Sequence, residues 1–234
     1  MRYPSSVLSK AAEHVAAACA YMYLFCMLRR TDVRYRVAKD PATFARIGSL
    51  RRDVYQTANS SYLINELDAN GLDPFDQNAT SFIAETRSSP GDVFAAIRTV
   101  RYPFEVLQFV SEEFLANNLG SRDFARAVEV SRLVSSRPNR VVTNGLILFG
   151  GVYLALHGIT RYFAYVALPE RRSSEPDNGR FPIPNRNPNG YTIVSGSITK
   201  HAARIGPRLW RSTKSPALTK SSTPTVVVQS SEPT

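Results

Sequence analysis

Thr143 to Leu156 is almost wholly apolar, and apolar stretches flank it at Ala127–Val134 and Thr160–Leu168. Asn139 to His157 is too long for a strand and is followed by Gly158, a residue suited to ending a helix. A helix apolar on nearly every side must be buried, here against a sheet. The two flanking strands then lie parallel, joined by the helix as a crossover.

The rest of the chain fits around that unit. Arg34–Val37 alternates as a short strand, and Asp40-Pro41 opens a helix running to residue 57, with Phe44, Ile47, Leu50, Val54 and Tyr55 at helical spacing. Residues 58–80 are polar and turn-rich, with Asn-Gly at 70–71, the profile of a long functional loop. Ser81–Glu85 and Val93–Tyr102 read as a hairpin closed by Ser88-Ser-Pro-Gly-Asp92. Residues 105–125 are mixed and helical, residues 169–190 read as a loop, and Tyr191–Ile198 is a last strand. No segment repeats another. The sum is an α+β sandwich of helices on a mostly antiparallel sheet with one parallel step.

The divisions expected are an N-terminal helical extension at 1–32, a folded α+β domain at 33–200 and a basic Ser/Thr/Pro-rich disordered tail at 201–234. The apolar run Val15–Leu28 is 14 residues, short of the roughly 20 that cross a bilayer. It reads as a packing or dimer helix, or as a peripheral membrane contact. No small-residue cleavage site follows it, so a secretory signal is not expected. Cys19 and Cys26 are too far apart on one helix for a disulfide and have no His or Cys cluster beside them for a metal. Free thiols fit a cytoplasmic compartment.

The formal charge of +10 invites a nucleic-acid or membrane adaptor. Its placement argues otherwise, since residues 171–234 hold 10 Lys/Arg against 3 Asp/Glu and the preceding part is nearly balanced. The tail's basic residues also lack the aromatic interleaving of a nucleic-acid surface. A non-catalytic basic adaptor therefore stands as the alternative from another class, and no nucleic-acid partner is expected.

A spaced set of charged residues carries the chemistry: Asp73-Pro-Phe-Asp76, Arg98, and Glu129-Val-Ser131-Arg132. Glu129 stands between valines on the apolar strand, where burial raises a carboxyl pKa and suits it to be a base. It equally suits an ion pair with Arg132 bracing the strand. In a regular strand residues 129 and 132 face opposite sides, so a common site requires a β-bulge. Asp73 and Asp76 either order the loop over a substrate, pairing with Arg52, Arg98 or Arg132, or simply cap the loop. Arg98 suits a bidentate grip on a carboxylate.

In this order the residues resemble the GNAT-like group of acyltransferases that holds the bacterial N-acyl amino acid synthases and the acyl-homoserine-lactone (autoinducer) synthases. Arg51-Arg52 and Tyr55 match its Arg-x-x-aromatic, Asp73-x-x-Asp76 its acidic loop, Arg98 its third-strand arginine, and Glu129-x-Ser131-Arg132 its fourth-strand Glu-x-Ser-Arg. Ala95 and Thr99 depart from the pattern around Arg98. The resemblance spans about residues 34–200. It implies a GNAT-like acyl-CoA N-acyltransferase fold whose central strands splay. It also implies an enzyme that moves a fatty acyl group from acyl carrier protein to an amine. Glu129, Ser131 and Arg132 would be catalytic, and Arg52, Tyr55, Asp73, Asp76 and Arg98 would bind substrate.

No bound cofactor or metal is implied; the acyl-carrier-protein thioester is a co-substrate. Arg137–Gly145 lacks the glycine pattern that holds a pyrophosphate in acetyl-CoA-binding relatives, and Arg137 and Arg140 suit an acidic carrier surface or solvent alone. The only Trp is Trp210, and Gly71 stands where homoserine-lactone synthases have a Glu. Both departures favour an amino-acid acceptor over S-adenosylmethionine. There is no Gly-x-Ser-x-Gly elbow for an acyl-enzyme, and His157 reads as a helix end, so transfer is expected to be direct. Helix 143–156 and strand 162–165 would line an acyl tunnel or form plain core.

Overall fold

The computed structural model describes residues 31–57, 61–119, 124–137, 139–167, 179–182 and 191–201, with the isolated positions Val15, Ala18, Cys19 and Met22. The expected N-terminal helix and basic tail lie almost wholly outside the described residues. Among those described, no helix is long and apolar enough to cross a membrane.

Ten elements follow in chain order: β1 (Val33–Val37), α1 (Pro41–Thr57), β2 (Ala79–Thr86), β3 (Val93–Val100), α2 (Glu112–Leu119), β4 (Ala127–Ser135), α3 (Arg140–Leu156), β5 (Arg161–Ala167), β6 (Gly179–Pro182) and β7 (Tyr191–Ser197). The strands form one sheet in the order β1-β2-β3-β4-β5-β7-β6. Among the described strands only the β4–β5 pairing is parallel, joined through α3. The α+β GNAT-like architecture expected from the sequence is therefore present. One element was read differently: within the 169–190 loop, Gly179–Pro182 pairs with β7 as an edge strand. An edge accepts Pro182 because one side of its backbone needs no ladder partner.

Local chemistry sets the helix limits. Asp40 accepts from the Thr43 N–H at 2.8 Å and Pro41 follows it, a capped start for α1. Asn139 caps α3 by accepting from the Val141 N–H at 2.9 Å, and Gly158 at φ 78° ends it.

The two sheet faces are covered differently. On one face Leu146, Leu148 and Leu154 of α3 pack on Phe82, Ala84, Ala95 and Ile97. On the other, Ile47, Leu50, Val54 and Tyr55 of α1 pack on Ile83, Ala96 and Val134. Farther along that second face, α2 joins Phe104, Phe124, Phe163 and Ile193 in a separate cluster. The seam between these last two clusters is where the charged residues collect.

Candidate active site

The site is built on an irregularity in β4. Arg98 stands opposite Ser131 and Ala96 opposite Val134, so Arg132 and Leu133 together face Ile97. Arg132 takes φ 51°, rare for a side-chain-bearing residue and held only where the surroundings over-determine it. This is the bulge that a shared site requires. It turns Arg132 to the face that already carries Glu129 and Ser131, while Leu133 remains with the α3 cluster.

Three arginines and five acids, four of them buried, gather there. Arg51 grips Asp76 with both terminal nitrogens, at 2.5 and 2.9 Å. Arg98 donates to Asp73, to Glu105 and, at 2.9 Å, to the Ser131 hydroxyl. Arg132 lies 3.0 Å from Asp73 and donates to Glu105 at 3.2 Å and Glu66 at 2.7 Å. The backbone N–H of Val106 donates to Glu129 at 3.1 Å. All these side chains are buried except Glu66 at the rim. Asp73 also accepts from the Phe75 N–H, and its own N–H donates to Asp76 at 2.9 Å. The aspartates thus cap their turn and fill the cluster together.

Burial and the neighbouring Glu105 charge push Glu129 up to about 8, although the Val106 N–H pulls the other way. Burial likewise raises Glu105 despite Arg98 and Arg132 beside it. Burial opposes the Asp76 charge, but the hydrogen bond and charge of Arg51 outweigh it and lower that pKa. A neutral Glu129 leaves three cations against three anions among the buried groups, which is the state a dry seam favours.

On the opposite face a cavity of about 200 Å3 lies between α3 and the sheet. The β4–β5 ladder pairs Ala127–Val130 with Arg161–Ala164 and stops there, so the strands part beyond it. Ser131, the first residue past the ladder, lines the cavity and accepts from Arg98. The charged seam and the apolar cavity meet at this residue.

Several readings from sequence need correction or addition. Arg98 is not available to grip a substrate carboxylate, since its three nitrogens already serve Ser131, Asp73 and Glu105 and it is wholly buried. The arginine of α1 inside the site is Arg51; Arg52 is one step round the helix and donates outward to the Ala69 carbonyl at 2.6 Å. Arg51 shares a face with Ile47 and Tyr55, four residues to either side, a spacing that marks it in sequence. Glu105 was missed, although it stands in the apolar run Phe104–Leu107 much as Glu129 stands between valines.

Tyr55 is buried within electrostatic reach of Arg132, Arg51 and Arg98. Arg137 lies 4.6 Å over the Phe94 ring and pairs with Asp92 at 2.6 Å, fastening the β2–β3 hairpin. Arg140 is exposed on the first turn of α3. His201, the first residue of the segment expected to be a disordered tail, is half-buried on the cavity wall, with Nδ1 2.8 Å from the Tyr162 hydroxyl. His157 caps α3, its Nδ1 2.7 Å from the Tyr153 carbonyl, as a helix-end residue should be. Gly71 has φ 77° and packs on Gly48, so the loop closes where a glutamate side chain has no room.

No protein-family profile and no curated protein matches the sequence. Solved structures do match the fold. A CoA-dependent acyl-homoserine lactone synthase, BjaI, bound to MTA, superposes with a TM-score of 0.57 at 14% identity, over 80% of this chain and 92% of that one. The same protein with SAM and isopentyl-CoA gives 0.54 at 15% identity, over the same shares. The acyl-homoserine lactone synthase LasI gives 0.55 at 12% identity, over 74% of this chain and 95% of that one. At such identities the likeness establishes the GNAT-like fold.

Proposed function

We propose that this chain is an acyltransferase that moves a fatty acyl group from a thioester to the amine of an amino acid. The observation that carries this reading is the bulged, splayed β4, which sets a buried, readily protonated Glu129 beside an opening to an apolar cavity. The thioester arm enters where β4 and β5 part, and its acyl chain lies in the cavity. The amine approaches from the charged face. Its nitrogen attacks the thioester carbonyl carbon, Glu129 takes one N–H proton directly or through a water, the C–S bond breaks to expel the thiolate, and the proton passes from Glu129 to that sulfur, releasing the thiol and restoring the base. Backbone N–H groups of β4 that lack a β5 partner beyond the ladder are suited to stabilise the oxyanion.

Arg132 is the residue suited to hold the acceptor's carboxylate, the part assigned to Arg98 from sequence. Its three acid partners all lie on Nη2, while Nε and Nη1 face no carboxylate, with Tyr55 within hydrogen-bonding reach of the guanidinium, so a substrate carboxylate entering past the rim at Glu66 would find two donors to bind. An amino acid should therefore be acylated and its amide should not. For the donor, acyl carrier protein is favoured over CoA. The Asn139 side chain already occupies the Val141 N–H at the start of α3, a position where a pyrophosphate would otherwise bind.

A second reading is favoured by the likeness to BjaI, whose structures hold SAM and MTA: acylation of S-adenosylmethionine with closure to a lactone. Both readings are tested by supplying octanoyl-carrier protein or octanoyl-CoA with amino acids or S-adenosylmethionine and weighing the products. An N-octanoyl amino acid made from the carrier protein supports the first reading, and an octanoyl lactone the second. Absence of both products, or products equal to those of Glu129→Gln, overturns the acyltransferase assignment.

A further inference from the structure

We infer that Gly150 and Gly151, in the middle of α3, set the length of the acyl chain, and that the limit is about eight carbons. This rests on the acyl-transfer reading and extends it to the donor. Both glycines line the cavity. A Cβ built on Gly151 meets only Ile198 Cγ2, at 3.5 Å, an ordinary contact; one built on Gly150 meets the Phe82 ring at 3.2 Å. Packing therefore does not require glycine at 151. A glycine inside a helix is less stable than alanine, because it surrenders more backbone freedom on folding. Two adjacent glycines in the centre of a 17-residue helix give up stability and leave space in return.

The space matches an unsubstituted hydrocarbon chain. An engineered apolar cavity of about 150 Å3 takes up benzene, six carbons, so the cavity of about 200 Å3 here has room for about eight. The polar side chains on its wall are occupied within the protein. Thr99 donates to the Thr80 carbonyl, Ser131 accepts from Arg98, and Tyr162 and His201 bond each other. Ile198 and Leu154 line the cavity beside the glycine pair.

The test is binding of S-acyl-pantetheines from acetyl to dodecanoyl, which carry the arm common to CoA and carrier protein and need no acceptor. In the wild type, affinity should tighten about fourfold per added methylene up to about eight carbons and then level off. Gly151→Leu should move the levelling point about four carbons shorter. Gly151→Ala should move it by about one and raise Tm by about 2–4 °C. If Gly151→Leu does not fold, the alanine variant carries the test. A levelling point unchanged in the folded variants, or affinity that does not depend on chain length in the wild type, overturns the inference. Length-limited binding without acylation of any amine leaves the cavity assignment standing and removes the enzymatic one; acylation without a length limit does the reverse.

Discussion

Arg98 changes role once its surroundings are known. A guanidinium whose nitrogens are all committed to Ser131, Asp73 and Glu105 is a structural tie. Removing one member of a buried ion cluster typically costs about 3–5 kcal/mol, because the partners stay buried without a counter-charge. Arg98→Ala should therefore lower Tm sharply and activity with it, as a melting curve will show. Glu129→Gln should behave in the opposite way. Glu129 ionises near 4.5 in an unfolded chain and at about 8 in the fold. Between those values the folded state binds the extra proton, so wild-type stability falls as pH rises through that window. The glutamine variant carries no such dependence, and its Tm advantage should widen from pH 5 to pH 8. Its turnover should fall by about 10²–10⁴-fold. In the wild type kcat/KM should rise with pH, pass half its plateau near pH 8 and level off only above it.

At the scale of elements, α3 does two jobs, and its first turn offers a direct check. Asn139→Ala should cost about 1 kcal/mol of helix capping, lowering Tm by about 2–4 °C. It should also improve use of acyl-CoA relative to acyl-carrier protein if the freed Val141 N–H can receive a phosphate, measured as the ratio of kcat/KM for the two donors. The elements themselves were legible from sequence where periodicity was strong: α1, the β2–β3 hairpin, β4 and the crossover α3 each announce their faces through apolar spacing. The bulge was deducible only conditionally, from the need to bring residues 129 and 132 together, because nothing in Arg132 itself signals a positive φ. Arg51 and Glu105 did carry a signal, apolar residues four positions to either side of the first and immediately around the second, but a weaker one. Which of two adjacent arginines points inward depends on helix phase, and a single acid near a turn looks solvated until the turn is seen folded onto β4. The edge strand β6 was hidden by the Pro- and Asn-rich composition around it.

For the whole molecule, the arrangement that matters is a sheet used on both faces, with charge on one, hydrocarbon on the other, and Ser131 at the one place described where they adjoin. On the proposed reading the acceptor and the donor approach from opposite faces of the sheet. Neither has to leave for the other to arrive, and no covalent acyl-enzyme is needed to hold the acyl group between visits. Steady-state kinetics should accordingly give intersecting double-reciprocal lines, never parallel ones. The released thiol should compete only with the acyl donor, and the acylated product, which carries both the acyl chain and the acceptor, with both substrates. Geometry of this kind makes the order of arrival immaterial, so the rate is governed by whichever substrate is scarcer in the cell at that moment.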